Sequence, residues 1–369
     1  MNHLKFAFWL LFLTVLGLSQ SLAQNSAPCN ESFLKIIGAP DKSEAAYGVY
    51  DSKDGNLYMT TSTGDYDSIT FMKMDLHGNI FWSRSRNYYF NVSDPSEKPS
   101  DLIVDNQGRI VCIGTLGDDR RGIMFKYDPI AQTQIWSSTL ILSTHSHGLI
   151  QDTIDGNYTT YARQREPYSV FWPATHASIV KIINNSGAFV LLPLGSGIRY
   201  QSDSTISDHI RSMVLHNGVY YGCGAMPVEN TSNARMRPVV FRMNLDYDVE
   251  WSWMGAIGID SVQHIYSEDL FIENDEIIAV HTGDDGSANT DRSYVFLQKF
   301  SLDGQSIWLK KFDLGSEFPD ALAKEVISVP DGFMIYGHRR GGSGLFFIKT
   351  DKSGNVLWAR NLDTGGSFL

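Results

Sequence analysis

The sequence predicts an all-β protein, specifically a β-propeller built from four-stranded antiparallel blades. A hairpin that ends in a large aromatic residue recurs along the chain at intervals of about 50 to 62 residues. A second hairpin precedes each copy, and no stretch after the N-terminal leader shows helical periodicity. Radial packing of such units buries the sheet faces that a single four-stranded unit leaves open, so tandem repetition favours a propeller.

The recurring hairpin is clearest near the C-terminus, in the stretch LFFIKTDKSGNVLWARNLD at 345–363. One large aromatic residue anchors each copy, namely Trp82, Trp136, Phe189, Trp251, Trp308 and Trp358. We expect these side chains to pack between neighbouring blades, because repeated large aromatic residues are normally core. In the best-matched copies a glycine stands four residues before the anchor, where it closes the turn between the third and fourth strands.

The preceding hairpins turn at residue pairs that favour tight turns. These pairs are Asp54-Gly55, Gln107-Gly108, Asp155-Gly156, Asn217-Gly218, Asn274-Asp275 and Asp331-Gly332. Gly and Asn adopt positive φ at low energetic cost, which two-residue hairpin turns require. Each unit therefore contains four short strands, and the chain contains six complete repeats.

The N-terminal region defines two segments outside the propeller. Residues 1–23 combine an early lysine, an apolar stretch and a small-residue exit, which is the pattern of a secretory signal peptide. Residues 24–32 are a short N-terminal segment, and 33–369 form a single β-propeller domain. Residues 33–37 resemble the fourth strand of a blade whose first three strands are missing. Two alternatives follow: a seven-bladed ring with an incomplete last blade, or a closed six-bladed ring.

Composition narrows the classes of partner. The formal net charge is −11, with 30 basic and 41 acidic residues, which argues against a nucleic-acid partner. After the leader, no apolar stretch reaches the ~18 residues of a membrane span. We therefore expect a mature protein that is secreted or held at the cell surface. Cys29, Cys112 and Cys223 are too few and too scattered for a disulfide framework.

The repeat has the consensus Lys-x-Asp-x-x-Gly-x-x-x-Trp, as in KMDLHGNIFW and KTDKSGNVLW. This pattern resembles the repeat of secreted bacterial β-propeller proteins, many of which leave the cell by the type IX secretion route. It is also similar to the tryptophan-docking repeat of pyrroloquinoline-quinone propellers, although the Asp-to-Trp spacing here is one residue shorter. The resemblance covers residues 33–361 and implies a fold rather than an activity.

Histidines are expected at the mouth of the central channel, where the loops that join blades converge and ligands usually bind. His147, His209 and His264 stand near the starts of innermost strands in units three to five. Imidazoles from adjacent blades suit a divalent metal, the one cofactor that the sequence suggests. These histidines and Tyr168 are also the candidate catalytic residues. The alternative is that the histidines are ordinary polar residues at strand entrances.

Arginine and aromatic residues concentrate in the loops that join second and third strands. The candidate ligand-binding residues are Arg120, Arg121, Arg163, Arg165, Tyr168, Trp172, Arg339 and Arg340. Forked guanidinium donors suit carboxylate or sulfate groups, and exposed aromatic rings suit sugar stacking or a protein surface. The alternative is that the arginines pair with nearby acidic residues and that the aromatic loop caps the ring.

Together these patterns predict an exported recognition module that binds an extracellular glycan or a protein through its loop face. The alternative is an extracellular polysaccharide-active enzyme, lyase-like, with a histidine and arginine site at the channel mouth. There, arginine or a metal would stabilise a carboxylate-enolate while histidine or tyrosine moves protons. Propellers host both binding and catalysis, so the fold does not separate these alternatives.

Overall fold

The computed structural model describes residues 44–362, except for 53–54, 64–67, 88–96, 117–120, 141–142, 154, 166–174, 193–208, 228–234, 256–263, 285–292, 313–320 and 340–343. Residues 1–23 and 33–37 lie outside the described residues, so the signal peptide and the seven-bladed ring stay predictions. In the part of the chain that the structure describes, no helix is long and apolar enough to cross a membrane.

The described chain consists of strands joined by turns. In chain order the strands are β1 (Glu44–Ser52), β2 (Asn56–Thr63), β3 (Ser68–Asp75), β4 (Ile80–Asn87), β5 (Glu97–Val104), β6 (Ile110–Leu116), β7 (Arg121–Asp128), β8 (Thr133–Leu140), β9 (Ser143–Gln151), β10 (Tyr158–Arg165), β11 (Thr175–Ile182), β12 (Phe189–Leu192), β13 (His209–His216), β14 (Val219–Pro227), β15 (Met236–Met243), β16 (Val249–Met254), β17 (His264–Glu273), β18 (Glu276–Asp284), β19 (Ser293–Ser301), β20 (Ser306–Phe312), β21 (Ala321–Val329), β22 (Gly332–Arg339), β23 (Leu345–Thr350) and β24 (Val356–Leu362).

These strands form six four-stranded antiparallel sheets, each made of four consecutive strands. We number the sheets as blades 1 to 6, so that β1–β4 form blade 1 and β21–β24 form blade 6. The prediction of an all-β propeller with six repeats of four strands is confirmed.

The hydrophobic core lies between the faces of consecutive blades. Between blades 5 and 6, for example, Val280 and Leu297 of blade 5 share one cluster with Ala323, Ile335 and Phe346 of blade 6. Equivalent clusters join blades 1 and 2, 2 and 3, 3 and 4, and 4 and 5. Full burial of one large apolar side chain contributes about 1.5–3 kcal/mol, so the blades depend on their neighbours for stability.

The consensus aspartate closes the turn between the third and fourth strands. In blade 6, Asp351 Oδ1 accepts the backbone N–H groups of Ser353 and Asn355 at 2.9 and 2.8 Å. In the same turn Gly354 has a φ of 78°, a left-handed conformation that glycine adopts without strain. The aspartate and the glycine of the repeat therefore have turn-forming roles.

The anchor tryptophans pack against the consensus glycine of the next blade. A Cβ atom on Gly304 of blade 5 would lie 2.8 Å from the ring of Trp251 in blade 4. A Cβ atom on Gly354 would lie 2.9 Å from the ring of Trp308. Trp251 Nε1 also donates to the backbone carbonyl of Leu302 at 3.2 Å. The prediction that these tryptophans pack between blades is confirmed for these blades.

A bulge places each tryptophan opposite the basic residue of the consensus. In five blades one extra residue precedes the tryptophan, namely Phe81, Ile135, Glu250, Ile307 and Leu357. Such a bulge bends the edge strand and re-aims the next side chain. Blade 3 has no such bulge, and there Lys181 pairs with Val190 while Phe189 pairs with Ile182. Phe189 was therefore the wrong anchor, because its strand lacks the extra residue.

Blade 4 compensates for the missing tryptophan of blade 3. Tyr247 replaces the glycine of the consensus, has a φ of 67° and is buried. Its ring stacks on Tyr220 at a centroid distance of 5.5 Å, and its hydroxyl lies 3.1 Å from Thr159 of blade 3. A tyrosine from the following blade thus contributes the aromatic ring that a tryptophan contributes elsewhere.

A buried ion pair in blade 2 is hydrogen-bonded to blade 3. Lys126 Nζ lies 2.6 Å from Asp105 Oδ2, and both side chains are 1% exposed. The ammonium group also donates to Tyr158 Oη at 2.9 Å and to Asn184 Oδ1 at 2.6 Å, both in blade 3. Because Asp105 is buried, loss of the lysine leaves an enclosed carboxylate without a counter-ion.

We therefore predict that Lys126→Met lowers the free energy of unfolding by about 3–5 kcal/mol. The matched control is Lys349→Met, which removes the pair at the same consensus position in blade 6, where Asp331 is 61% exposed. The control should change stability little, because solvent screens an exposed pair. Urea unfolding followed by tryptophan fluorescence measures both variants, and equal losses would contradict the role assigned to Lys126.

Candidate functional site at the central channel

Every innermost strand contains one bulge at an equivalent place. The extra residue is Tyr47, Ser100, His147, Arg211, Glu268 or Lys324, in blades 1 to 6 respectively. A bulge places two residues opposite one on the partner strand and turns a side chain out of the regular alternation. Since all six blades repeat the feature, these residues occupy one level of the ring.

Three bulge residues of blades 4 to 6 meet one another. Lys324 Nζ lies 3.3 Å from Glu268 Oε2, and Arg211 Nε lies 3.9 Å from the same oxygen. Blades diverge from a common axis, so equivalent side chains of neighbouring blades can touch only near that axis. We call Arg211, Glu268 and Lys324 the channel triad.

The cations of the channel triad are more accessible than its carboxylate. The side chains of Arg211 and Lys324 are 27% and 37% exposed, whereas that of Glu268 is 9% exposed. A ligand in the channel can therefore contact more of the two basic side chains than of the acid.

An aromatic pair lies two residues before the bulge, toward the loop face. The imidazole of His209 in blade 4 is parallel to the phenol ring of Tyr266 in blade 5, with an interplanar angle of 3° and a centroid distance of 6.3 Å. His209 is buried, whereas Tyr266 is partly exposed. Aromatic rings beside polar groups suit a ligand that presents both C–H faces and hydroxyl groups.

In blades 2 and 5 the residue after the bulge is an aspartate that joins the blade to the next one. Asp101 Oδ1 accepts the N–H of Leu102, and its Oδ2 accepts the N–H of Leu149 in the following blade at 3.0 Å. In blade 5, Asp269 Oδ2 accepts the N–H of Val326 in blade 6, also at 3.0 Å. Each of these two acids thus accepts an inner-strand amide from the following blade.

Blade 3 solves the same problem with a tyrosine. Its residue after the bulge is Gly148, and a Cβ atom there would lie 1.9 Å from the hydroxyl oxygen of Tyr161. The hydroxyl accepts the backbone N–H of Met213 in blade 4. Tyr161 therefore takes the place of the aspartate at the junction of blades 3 and 4.

The two aspartates are enclosed near other acidic groups. Burial raises the pKa of Asp101 and of Asp269 to about 7, although backbone N–H donors oppose the shift and the nearby Glu325 adds to it. Glu325 is itself hydrogen-bonded by the hydroxyl of Tyr336. Ionisation of either aspartate near neutral pH therefore places a charge on a partly buried group near Glu325.

We predict that the protein loses stability as the pH rises through 7. A carboxyl whose pKa is raised from 3.8 to about 7 stabilises the fold fully below pH 3.8, and this contribution is lost as the pH rises through 7. Urea midpoints at pH 5.5, 7.0 and 8.5 measure the effect. The variant Asp101→Asn/Asp269→Asn should flatten the pH dependence, because each asparagine keeps one acceptor oxygen and cannot ionise.

Asp351→Asn is the matched control for this pH dependence. Hydrogen bonds from the backbone N–H and the side chain of Asn355 lower the pKa of Asp351, so its contribution changes only below pH 3.8. It should leave the slope between pH 5.5 and 8.5 unchanged. A slope that the double variant also leaves unchanged would show that other groups cause it.

The three predicted histidines lie at different levels of their strands. His147 is the bulge residue of blade 3, His209 stands two residues before its bulge and His264 four. At about 3.3 Å per residue, these offsets separate the levels by roughly 7 and 13 Å. The assumption that the three positions are equivalent was wrong. From bulge to turn the offset is eight residues in blade 3 and six in blades 4 and 5, so counting back from the turns does not align the strands.

No metal site is evident among the described side chains. Within the described ranges, no group of three or more histidine, cysteine or acidic residues has the arrangement of metal ligands. His264 Nδ1 instead lies 3.3 Å from the backbone N–H of Met236. The side chain of His147 lies outside the described part, so its role in metal binding or catalysis stays a prediction.

The structure places few of the predicted loop residues. Arg120, Tyr168, Trp172 and Arg340 lie outside the described residues. Arg121 begins β7, and Arg163 and Arg165 lie within β10, so these three belong to strands rather than loops, with side chains outside the description. Arg339 ends β22 opposite Ala321 and is partly exposed. The predicted grouping of these arginines into one ligand-binding surface therefore stays a prediction.

The channel triad was absent from the sequence-based candidates. Its three members share no residue type and belong to no motif, so only the strand register reveals their equivalence.

Comparison with known proteins agrees with the fold. No protein-family model matches the chain, and no curated protein sequence matches it. Kuenenia stuttgartiensis hydrazine synthase is similar in structure, with a TM-score of 0.54 and 12% identity over 88% of this chain and 81% of that chain. Extracellular domains 1–2 of Drosophila semaphorin 1a give a TM-score of 0.51 and 10% identity over 88% and 80%. Both are β-propeller proteins, and at such low identity they establish the class of this protein as a β-propeller and nothing further.

Proposed function

We propose that this protein is an exported recognition β-propeller that binds an extracellular glycan at the loop-side mouth of its channel. The observation that carries the proposal is the convergence of the channel triad with the His209–Tyr266 pair on blades 4 to 6. Sugars combine hydroxyl groups with apolar C–H faces. Adjacent donors and acceptors beside an aromatic ring match that combination.

The structural role of Asp101 and Asp269 favours binding over catalysis. A carboxyl with a pKa near 7 is suited to general acid-base chemistry. However, Asp101 and Asp269 use their oxygens to accept amides of the inner strands, which is a structural role. Among the described residues, the channel triad offers charged groups to a ligand, and these are suited to hydrogen bonding and charge recognition.

Export is the second component of the proposal. It rests on the leader pattern in residues 1–23 and places the protein outside the cell or at its surface. The type IX secretion route rests on the repeat consensus alone. The similarity to quinone-binding propellers concerns the packing of tryptophans, and we propose no quinone cofactor from it.

We predict that Tyr266→Ala weakens glycan binding by about tenfold, the loss expected when one stacking contact is removed. The matched control is Tyr294→Ala on the third strand of the same blade. The Nζ of Lys311 lies 3.7 Å from the centroid of the Tyr294 ring. The control should bind as the unaltered protein does. A glycan array with the purified mature protein identifies the ligand, and calorimetry then measures both variants.

Three outcomes would decide against this function. Binding of no glycan on a broad array would remove it, as would equal affinity in Tyr266→Ala and the unaltered protein. Release of unsaturated sugar products from a bound polysaccharide would instead support the lyase-like alternative.

A further inference from the structure

We infer that the channel triad selects glycans that carry a carboxylate, such as those built from uronic acids. This inference rests on the proposed function and specifies the substrate class of the same site. Glu268 is assigned a positioning role: it holds Arg211 and Lys324 apart at a spacing that accepts a second carboxylate.

The first argument is the balance of charge in the triad. Two cations share one carboxylate, and both approach the same oxygen, Glu268 Oε2. A carboxylate group therefore already fits between them, which shows that their spacing suits this group. An incoming carboxylate on the open side of the cations would neutralise the remaining positive charge.

The second argument is the unused hydrogen-bonding capacity of the cations. Arg211 Nε is buried and, among the described residues, has no hydrogen-bond partner, since 3.9 Å from Glu268 is too long for a hydrogen bond. Lys324 Nζ directs one hydrogen bond to Glu268, whereas an ammonium group has three donors. The Lys324 side chain is 37% exposed, so its remaining donors are open to a ligand, and a charge-assisted hydrogen bond from one of them to a carboxylate would add affinity.

The third argument is that the nearby acids do not compete for the cations. The carboxyl of Asp101 accepts the Leu149 amide, that of Asp269 accepts the Val326 amide, and Glu325 accepts the Tyr336 hydroxyl. All three residues follow the bulge. Asp101 and Asp269 serve the junctions between blades, and Glu325 is bonded within blade 6. The accessible layer of the channel therefore has the basic character of Arg211 and Lys324.

A glycan is favoured over an acidic peptide because the His209–Tyr266 pair belongs to the same two blades as Arg211 and Glu268. Each member stands two residues before the bulge on its strand. A sugar ring stacked on the partly exposed Tyr266 would direct a carboxylate along the strand toward the triad. An extended acidic peptide has no need for this aromatic group.

The test compares two matched ligands by calorimetry: an oligogalacturonate and its carboxyl-reduced counterpart, an oligogalactose of equal length. We expect the unaltered protein to bind the uronate at least tenfold more tightly. Arg211→Gln and Lys324→Gln should reduce that preference to about threefold or less, because each removes a charge-assisted hydrogen bond. Glu268→Gln should weaken uronate binding, because a neutral amide no longer holds the two cations at this spacing.

Conservative and distant variants serve as controls. Lys324→Arg keeps the charge and should keep the preference, so the test does not depend on the folding of one glutamine variant. Lys349→Gln removes a cation at the opposite end of the blade, beside Asp331, and should change nothing. Thermal melts show which variants are folded.

The outcomes separate this inference from the function on which it rests. Equal affinity for the uronate and the neutral oligosaccharide would overturn the inference and leave glycan recognition intact. Binding of neither sugar would remove both. A sulfated oligosaccharide or a glutamate-rich peptide that binds more tightly than the uronate would overturn the assignment of the carboxylated sugar. Tighter uronate binding in Glu268→Gln would show that Glu268 competes with the ligand for the cations rather than positioning them.

Discussion

The bulge in the innermost strand is the constraint on which both the ring and the candidate site depend. An extra residue interrupts the regular pairing, and amides beside it need acceptors within the protein. Asp101, Tyr161 and Asp269 meet this need for amides of the following blade. In blades 4 to 6 the bulge residues Arg211, Glu268 and Lys324 come together near the axis. One irregularity of the backbone thus joins the blades and builds the site.

The blades are fastened at two distances from the axis, by different forces. Near the axis the contacts are polar, and burial of their carboxyl groups makes them sensitive to ionisation. Farther out the contacts are apolar, since a tryptophan packs on a turn glycine such as Gly304 of the next blade. Blade 3 departs from the pattern at both places, with Gly148 and Tyr161 inside and Val190 outside. Tyr161 replaces the aspartate near the axis, and Tyr247 replaces the tryptophan farther out. The junction of blades 3 and 4 therefore uses tyrosines where other junctions use aspartate and tryptophan.

The parts of the fold that were predictable are those coded by neighbouring residues. Turn pairs, the consensus aspartate and the tryptophan each act within a few positions, so their pattern survives in the sequence. Bulges were not predictable, because no residue type marks them: the inner-strand series includes arginine, glutamate and lysine. The histidines were misaligned for the same reason, since counting back from the turns ignores unequal strand lengths. The choice of Phe189 as the anchor was wrong because its strand lacks the bulge that precedes the other anchors.

The freedom of side chain at the bulge explains how one backbone can hold a specific site. Fastening of the blades uses the residue after the bulge and the backbone amides, so the bulge residue itself is released from a structural role. In this chain the order along blades 4, 5 and 6 is Arg211, Glu268, Lys324, which places each cation beside an anion. The reverse arrangement, two adjacent cations, would add repulsion in an enclosed channel. Alternation of charge keeps both basic groups close to the axis, where a ligand can reach them.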